Sequence, residues 1–165
     1  MSLRFIIFFF IVFTADGLSQ GLMEDKLLPT RQDSLRGSIT PEREWWDLTY
    51  YHLDIKVEPD KKYISGSNTV GYKVLKSNKT MQIDLQEPME ITSVIANGKP
   101  LKFNREGNAY FIELKSKQKK NDVNYLEIFY EGFPKEAIRA PWDGGLSWAK
   151  DDNGNHFIAT SCQGL

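Results

Sequence analysis

The sequence predicts an all-β, mostly antiparallel domain of about nine short strands. Apolar and polar residues alternate with a period of two from Trp46 onward, and clusters of Gly, Asn, Asp and Pro separate the alternating runs. No stretch shows a convincing amphipathic helical period. Aromatic residues make up 13% of the chain, which favours a β-rich core.

The N-terminal residues are typical of a signal peptide. Arg4 precedes an unbroken apolar run over residues 5–13, and small residues lead up to a predicted cleavage between Ser19 and Gln20. The run is shorter than the roughly 20 apolar residues that span a bilayer. We therefore expect residues 1–19 to be removed, with export to the periplasm or the exterior and no stable membrane insertion. An uncleaved anchor is the alternative.

Residues 20–44 show no sustained period and carry scattered charged residues with two prolines. They are predicted to form a flexible N-terminal arm. The strands, and with them the folded domain, are expected over residues 45–165.

The first strands show the alternation most clearly. In "YHLDIKVEP" four apolar residues share one face: Tyr51, Leu53, Ile55 and Val57. The opposite face carries His52, Asp54 and Lys56. Gly66 and Gly71 interrupt the next strand, which indicates a bulge or a close approach of two backbones.

Three connections have turn signals. Asn97-Gly98 between two apolar runs predicts a tight hairpin. The lysine-rich "KSKQKKND" between "AYFIEL" and "NYLEIFYEG" is interpreted as a solvated hairpin tip. "LSWAK" and "NHFIAT" are expected to pair across the turn "DDNGN".

Composition and motifs exclude several classes of function. A net charge of -1 provides no basic field for nucleic acid, so no nucleic-acid partner is expected. Cys162 is the only cysteine, so the chain has no internal disulfide, and a buried apolar role is favoured over a nucleophile. No His-Glu-x-x-His or calcium-loop pattern occurs, so the sequence itself offers no metal site.

Two further patterns have a functional and a structural interpretation. Asn78-Lys79-Thr80 fits the N-glycosylation pattern, which also arises by chance. The four tryptophans could form a carbohydrate-stacking platform, although packing in the core and at sheet edges is favoured. They are Trp45, Trp46, Trp142 and Trp148.

The order of several segments resembles the N-terminal β domain of the aminopeptidase N family of zinc metallopeptidases, secreted bacterial members most of all. The segments are "WDLTYYHLDIKVEPDKKYISGSNTVGYKV", "IANGKPL", "YFIELKSKQKKNDVNYLEIFYEG" and "APWDGGLSWAKDDNGNHFIATSCQG". Together they cover about Trp46 to the last residue. The resemblance implies a saddle-shaped, sandwich-like β domain that packs against a catalytic domain of the same polypeptide.

The resemblance also implies a site. In the family, a strand ending in Thr-x-Cys-Gln or Thr-Gln-x-Glu holds the free N-terminus of a peptide substrate; here this is Thr160-Ser161-Cys162-Gln163. Gln163 is thus expected to bind the α-amine, with Gly164 allowing close approach. The zinc and its ligands belong to the full-length enzyme, in a catalytic domain missing from this chain. The domain at 45–165 is thus expected to be incomplete at its C-terminal end and inactive alone.

Two functions follow. The first is the N-terminal substrate-cleft domain of a secreted zinc aminopeptidase, truncated before its catalytic domain. The alternative is a stand-alone secreted β-sandwich module that binds carbohydrate or protein.

Overall fold

The computed structural model describes residues 28–140 and 142–160. They form one α-helix, α1 (Arg31–Gly37), one short 3-10 helix (Pro59–Lys61) and ten strands. The strands are β1 (Trp46–Glu58), β2 (Tyr63–Val74), β3 (Thr80–Asp84), β4 (Glu90–Ala96), β5 (Lys99–Pro100), β6 (Lys102–Glu106), β7 (Ala109–Glu113), β8 (Val123–Gly132), β9 (Leu146–Lys150) and β10 (His156–Thr160). The predicted all-β class is confirmed. In this part of the chain no helix has the length and apolar character needed to cross a membrane.

The strands form three sheets with antiparallel neighbours. The largest has the order β1-β2-β8-β4-β5, the second has the order β3-β7-β6, and β9 pairs with β10 in a separate hairpin. Apolar residues of the first two sheets meet in a single core. Val74 of β2, Val94 of β4, Met81 of β3 and Ile112 of β7 are fully buried there. The second sheet therefore acts as the cover of the first.

The pairing of β1 with β2 confirms the predicted faces. Tyr51 lies opposite Val70 and Leu53 opposite Asn68, while His52 and Asp54 lie on the other side. A register shift occurs between Leu48 and Tyr50. It is a bulge in β1, beside the predicted close approach in β2.

Gly71 is the point of that close approach. A Cβ on this residue would lie 2.8 Å from the ring of Tyr125 and 2.9 Å from the Cβ of Tyr50. The rings of Tyr50 and Tyr125 pack edge to face across it, with centroids 6.4 Å apart. Only glycine leaves room for both rings on this face of the sheet.

The second sheet covers only about half of the apolar face of the large sheet, and only the covered half belongs to the core. Val70 and Leu126 each expose 1% of their surface, whereas Leu53 on the same face exposes 55%. The apolar face of β1, defined by Tyr51, Leu53, Ile55 and Val57, is exposed along its whole length. Alternation in the sequence identified this face correctly but not its exposure.

The arm predicted over residues 20–44 contains a helix that the sequence analysis missed. Thr30 accepts a hydrogen bond from the backbone N–H of Asp33, and the Asp33 carboxylate accepts one from the backbone N–H of Thr30. This reciprocal cap satisfies two free N–H groups and starts α1. Leu35 is buried. The seven-residue helix is too short to give a visible period, but Thr-x-x-Asp was a usable signal.

Gln82 of β3 fixes this segment to the second sheet. Its side chain accepts from Thr40 Oγ1 at 2.7 Å and donates to the carbonyl of Leu35 at 3.1 Å. Its backbone N–H donates to the carbonyl of Glu42 at 3.1 Å. The Gln82 side chain is 1% exposed, and these bonds satisfy it in the interior. The folded unit therefore begins near Thr30, before the predicted boundary at residue 45.

The predicted turns had mixed outcomes. Asn97 and Gly98 have positive φ angles of 51° and 68° and join β4 to β5, which confirms that hairpin. The interpretation of the lysine-rich segment 115–122 as a hairpin tip is wrong. It crosses from β7 in the second sheet to β8 in the first. Local alternation cannot distinguish a hairpin from a crossover, because both join two apolar strands through a polar segment.

Candidate functional site

The predicted substrate-binding residues follow directly after β10. Thr160 is the last residue of that strand, and Gln163 and Gly164, like Cys162, lie beyond the described residues. The described residues include the segments that hold β10, the strand that leads to them in the sequence. This support consists of the β9–β10 hairpin and the segment 133–145.

The segment before β9 holds the hairpin through backbone hydrogen bonds. Leu146 donates to the carbonyl of Lys135 at 2.8 Å and accepts from the backbone N–H of Ala137 at 3.0 Å. Thr160 Oγ1 donates to the carbonyl of Gly145 at 3.1 Å, so the end of β10 is tied to the same segment. Gly145 has a φ of +83°, and a Cβ there would lie 2.6 Å from the carbonyl oxygen of Lys135. Glycine is therefore required at this crossing.

Asp143 organises the loop that precedes these bonds. Its Oδ2 accepts from the backbone N–H groups of Arg139 at 2.9 Å and Ile138 at 2.6 Å. These donors lower the pKa of Asp143, because they stabilise its charged form. Its Oδ1 and the indole Nε1 of Trp148 are buried without a hydrogen-bond partner in the described part of the chain. Among the described residues, the loop thus has one acceptor without a partner, at Asp143, and β9 has one donor without a partner, at Trp148.

One ion pair and one histidine–carboxylate contact connect the hairpin region to the tip of the β1–β2 pair. Lys62 Nζ lies 2.6 Å from a carboxylate oxygen of Glu136, and His156 Nε2 lies 3.2 Å from Asp60 Oδ1. Lys62 adopts a left-handed φ of 54° at the end of the 3-10 helix. Both contacts are largely exposed, and the Lys62–Glu136 ion pair contributes only about 0–1 kcal/mol. Their role is orientation of the hairpin more than stability.

The turn between β9 and β10 is confirmed. Asp151 Oδ1 accepts from the backbone N–H groups of Asn153 at 2.9 Å and Asn155 at 2.8 Å. The Asn155 side chain and backbone hydrogen bonds lower the pKa of Asp151. A carboxylate bonded in this way closes the turn. Among the described residues, no group of three or more His, Cys, Asp or Glu side chains could hold a metal ion.

The structure separates the four tryptophans. Trp45 is 1% exposed and packs edge to face on Tyr72, with ring centroids 5.8 Å apart. Trp46 also packs edge to face with Tyr72, with ring centroids 6.2 Å apart. Trp142 is 75% exposed in the loop before β9. The favoured structural interpretation therefore holds for Trp45, which is buried and unavailable for stacking on a sugar, and for Trp46, which is half-buried against the core.

Asn78 is held in the fold. Its Nδ2 donates to the carbonyl of Pro41 at 3.2 Å, and its Oδ1 accepts from the backbone N–H groups of Lys79 at 2.7 Å and Thr80 at 3.3 Å. The amide nitrogen that would carry a glycan is thus bonded to the N-terminal segment. This geometry favours a structural role for the Asn-Lys-Thr pattern.

The fold is similar to solved structures of M1 zinc metallopeptidases. A two-domain M1 zinc metallopeptidase mutant bound to L-arginine has a TM-score of 0.55 and 16% identity, with 69% of this chain and 28% of that chain covered. An M1 zinc metallopeptidase from Deinococcus radiodurans has a TM-score of 0.55 and 17% identity, covering 67% and 27%. Leukotriene A4 hydrolase from Saccharomyces cerevisiae has a TM-score of 0.54 and 18% identity, covering 71% and 19%.

The chain therefore spans less than a third of each of these enzymes. No protein-family profile matches the sequence, and no curated protein sequence matches it. At these identities the similarity shows a shared fold.

Proposed function

We propose that this chain is the N-terminal substrate-cleft domain of a zinc aminopeptidase that removes N-terminal residues from peptides. The observation that carries the proposal is the shared fold. Two thirds or more of this chain superposes on M1 zinc metallopeptidases, of which it spans 28% or less. The order of sequence segments described above supports the same assignment independently of the coordinates.

The exposed half of the large sheet fits a partner domain. The apolar face of β1 places two leucine-sized side chains in water, with Leu53 55% and Ile55 49% exposed. Contiguous exposed apolar surface of this kind is typical of an interface. We assign it to the missing catalytic domain of the same polypeptide.

Zinc belongs to that catalytic domain in this proposal. The described residues contain no ligand set for it, so they do not fit a zinc site of their own. A bound zinc would supply an activated water and polarise the scissile carbonyl. The role of the present chain is to bind and orient the peptide, and by itself it has no peptidase activity.

Gln163 and Gly164 carry the binding role. A peptide α-amine has a reference pKa of about 7.7 to 8.0 and is a donor near neutral pH, so it requires an oxygen acceptor. The Gln163 side chain offers such an oxygen, and Gly164 leaves space for the ligand beside the backbone. The support from β10 is consistent with this role, because Thr160 is tied to Gly145 three residues before Gln163. We also propose export, on the basis of residues 1–19.

The first experiment concerns the missing domain. The genomic frame downstream of Leu165 is sequenced, and hydrolysis of aminoacyl anilides is measured for the chain alone and for the product of any continued frame. We expect a His-Glu-x-x-His pattern downstream and chelator-sensitive activity only in the longer product. A stop codon after Leu165, or turnover by the chain alone, would contradict the proposal.

The second experiment concerns Gln163 and uses the complete enzyme. Gln163→Ala removes a hydrogen bond to a charged group, which lowers kcat/KM for free-amine peptides by roughly ten- to over a hundredfold. Gln163→Glu keeps an acceptor oxygen and serves as the matched control. Peptides with an acetylated N-terminus lack this charge, so kcat/KM for their cleavage should change little with either substitution. Unchanged cleavage of free-amine peptides by Gln163→Ala would show that this residue does not bind the amine.

A further inference from the structure

The outer edge of β1 is the side of this strand that faces away from β2. β1 has 13 residues and is the first strand of the five-stranded sheet. Within the described part of the chain, residues 47–58 make no backbone hydrogen bonds outside the strand ladders. A long edge strand of this kind presents a row of unpaired N–H and C=O groups to solvent.

The opposite edge of the same sheet is shorter and irregular. It consists of β5, which has only two residues, Lys99 and Pro100, and of the start of β4, which β5 does not reach. Short length, a lysine and a proline without an N–H group are all features that prevent strand addition. β1 has one such irregularity, the bulge between Leu48 and Tyr50, and it lies near the start of the strand. The stretch from Tyr51 to Glu58 is regular.

We propose that the outer edge of β1 pairs antiparallel with β1 of a second copy of this chain, about a twofold axis at Ile55. The two large sheets then continue into one another. The proposal goes beyond the proposed function and does not depend on it. It uses the edge of β1, whereas the catalytic domain would cover its apolar face.

The register follows from faces and charges. Opposite residues of an antiparallel ladder share a face. In a symmetric dimer, odd-numbered residues must therefore lie opposite odd-numbered residues, and the twofold axis runs between the two copies of one residue. About Ile55, Asp54 lies opposite Lys56 of the second copy, and His52 lies opposite Glu58. On the other face, Leu53 meets Val57. Each carboxylate therefore faces a basic side chain.

Neighbouring registers are less favourable. An axis at Asp54 places this carboxylate opposite its own copy and Lys56 opposite His52. An axis at Lys56 places Asp54 opposite Glu58, again like charges, which destabilise directly opposite positions. An axis at Leu53 pairs Asp54 with His52 but leaves Lys56 opposite Tyr50 and Glu58 opposite Leu48, so only one of the two carboxylates faces a basic side chain. His52, Asp54 and Lys56 are all exposed. Lys56 Nζ lies 3.0 Å from Glu58 Oε1 of its own strand, so in the dimer it exchanges this exposed contact for Asp54 of the second copy.

The first test measures self-association. The chain is expressed from residue 1, purified in its processed form and studied by sedimentation equilibrium over a wide concentration range. We expect a reversible monomer–dimer equilibrium. Asp54→Lys places the new lysine opposite Lys56 of the second copy at both symmetry-related positions. The dissociation constant should therefore rise at least about tenfold. Combining Asp54→Lys with Lys56→Asp restores opposite charges and should bring the constant back to within about threefold of wild type.

The second test reads the register. Ile55→Cys and Leu53→Cys are each made with Cys162→Ser, and oxidation to a disulfide dimer is followed on denaturing gels. Residues that face each other across a ladder have Cα atoms about 4.5–5.5 Å apart, which is within disulfide range. Position 55 faces its own copy in the proposed dimer, whereas two copies of position 53 do not face each other. Ile55→Cys should therefore cross-link at least about tenfold faster than Leu53→Cys.

Rescue by the double charge exchange, together with preferential cross-linking at position 55, would establish the dimer. A monomer at all concentrations would overturn the proposal. Open-ended association that is the same in wild type and in the charge variants of β1 would also overturn it. Faster cross-linking at position 53 than at position 55 would do so too. Circular dichroism of each variant confirms that it is folded. If Asp54→Lys fails to fold, it is replaced by Lys56→Glu, which places one carboxylate opposite each Asp54.

Discussion

Two leucines on one face of the large sheet have opposite environments. Leu126 of β8 lies beside Val70, under the second sheet, and is 1% exposed. Leu53 of β1 lies on the same face, two positions further along the β1–β2 ladder, and is 55% exposed. The comparison shows that alternation determines which face is apolar, whereas the position of the covering sheet determines which part becomes core.

Truncation of the two leucines should give the largest contrast. Leu126→Ala removes buried methyl groups and leaves a cavity, so the free energy of unfolding should fall by about 2–5 kcal/mol. Leu53→Ala, the matched control in the uncovered half, should lower it by less than about 1 kcal/mol. Urea unfolding followed by tryptophan fluorescence measures both. Equal losses would mean that the uncovered half is packed in solution.

Ionisation of Tyr72 should give a smaller effect that is again specific to the covered half. Burial raises the pKa of Tyr72 to about 12, because the phenolate is poorly solvated in the core. The unfolded chain ionises first, so stability is fully present below pH 10 and is lost as the pH rises from 10 to 12. Linkage gives a loss of about 2 kcal/mol over this interval.

Comparison with Tyr72→Phe isolates this contribution. The urea midpoints of wild type and of Tyr72→Phe are measured from pH 9 to 12. The difference between them should change with pH as the predicted loss of unfolding free energy does. Burial also raises the pKa of Tyr51 in the uncovered half, but Tyr51 is 52% exposed, so Tyr51→Phe should change the profile less. A larger change from Tyr51→Phe would reverse the assignment of covered and uncovered halves.

The smallest effect is expected for the N-terminal segment, residues 30–44, which is hydrogen-bonded to Gln82 of the second sheet. Thr40→Val removes the hydroxyl that donates to Gln82 and leaves a buried amide oxygen without its partner. The free energy of unfolding should fall by about 1–2 kcal/mol. The same change at exposed Thr49 in β1 should have an effect within about 0.5 kcal/mol. A negligible effect at Thr40 would show that residues 30–44 are dispensable for stability.

Period and turn chemistry were sufficient for the fold class, the two faces of β1 and the Asn97-Gly98 hairpin. They failed where the determining contact is distant in sequence. The exposure of Leu53 depends on where β3, β6 and β7 lie. The docking of the N-terminal segment depends on Gln82, whose partners Leu35 and Thr40 are more than forty residues away.

The candidate site shows the same division between local and distant information. The turn at Asp151 was visible in the sequence, because its donors Asn153 and Asn155 are neighbours. The link from Glu136 to Lys62 is a contact between distant residues and was missed. The assignment of Gln163 to the substrate amine remains a prediction, since it rests on the resemblance of the sequence.

The position of β8 in the large sheet has a consequence for synthesis of the chain. β8 lies between β2 and β4, both of which the ribosome completes before residue 123 is added. Until then β2 has only β1 as a partner, and the second sheet has nothing complete to cover. The interval between translation of β7 and emergence of β8 is therefore when the nascent chain is most open to pairing with the wrong strand.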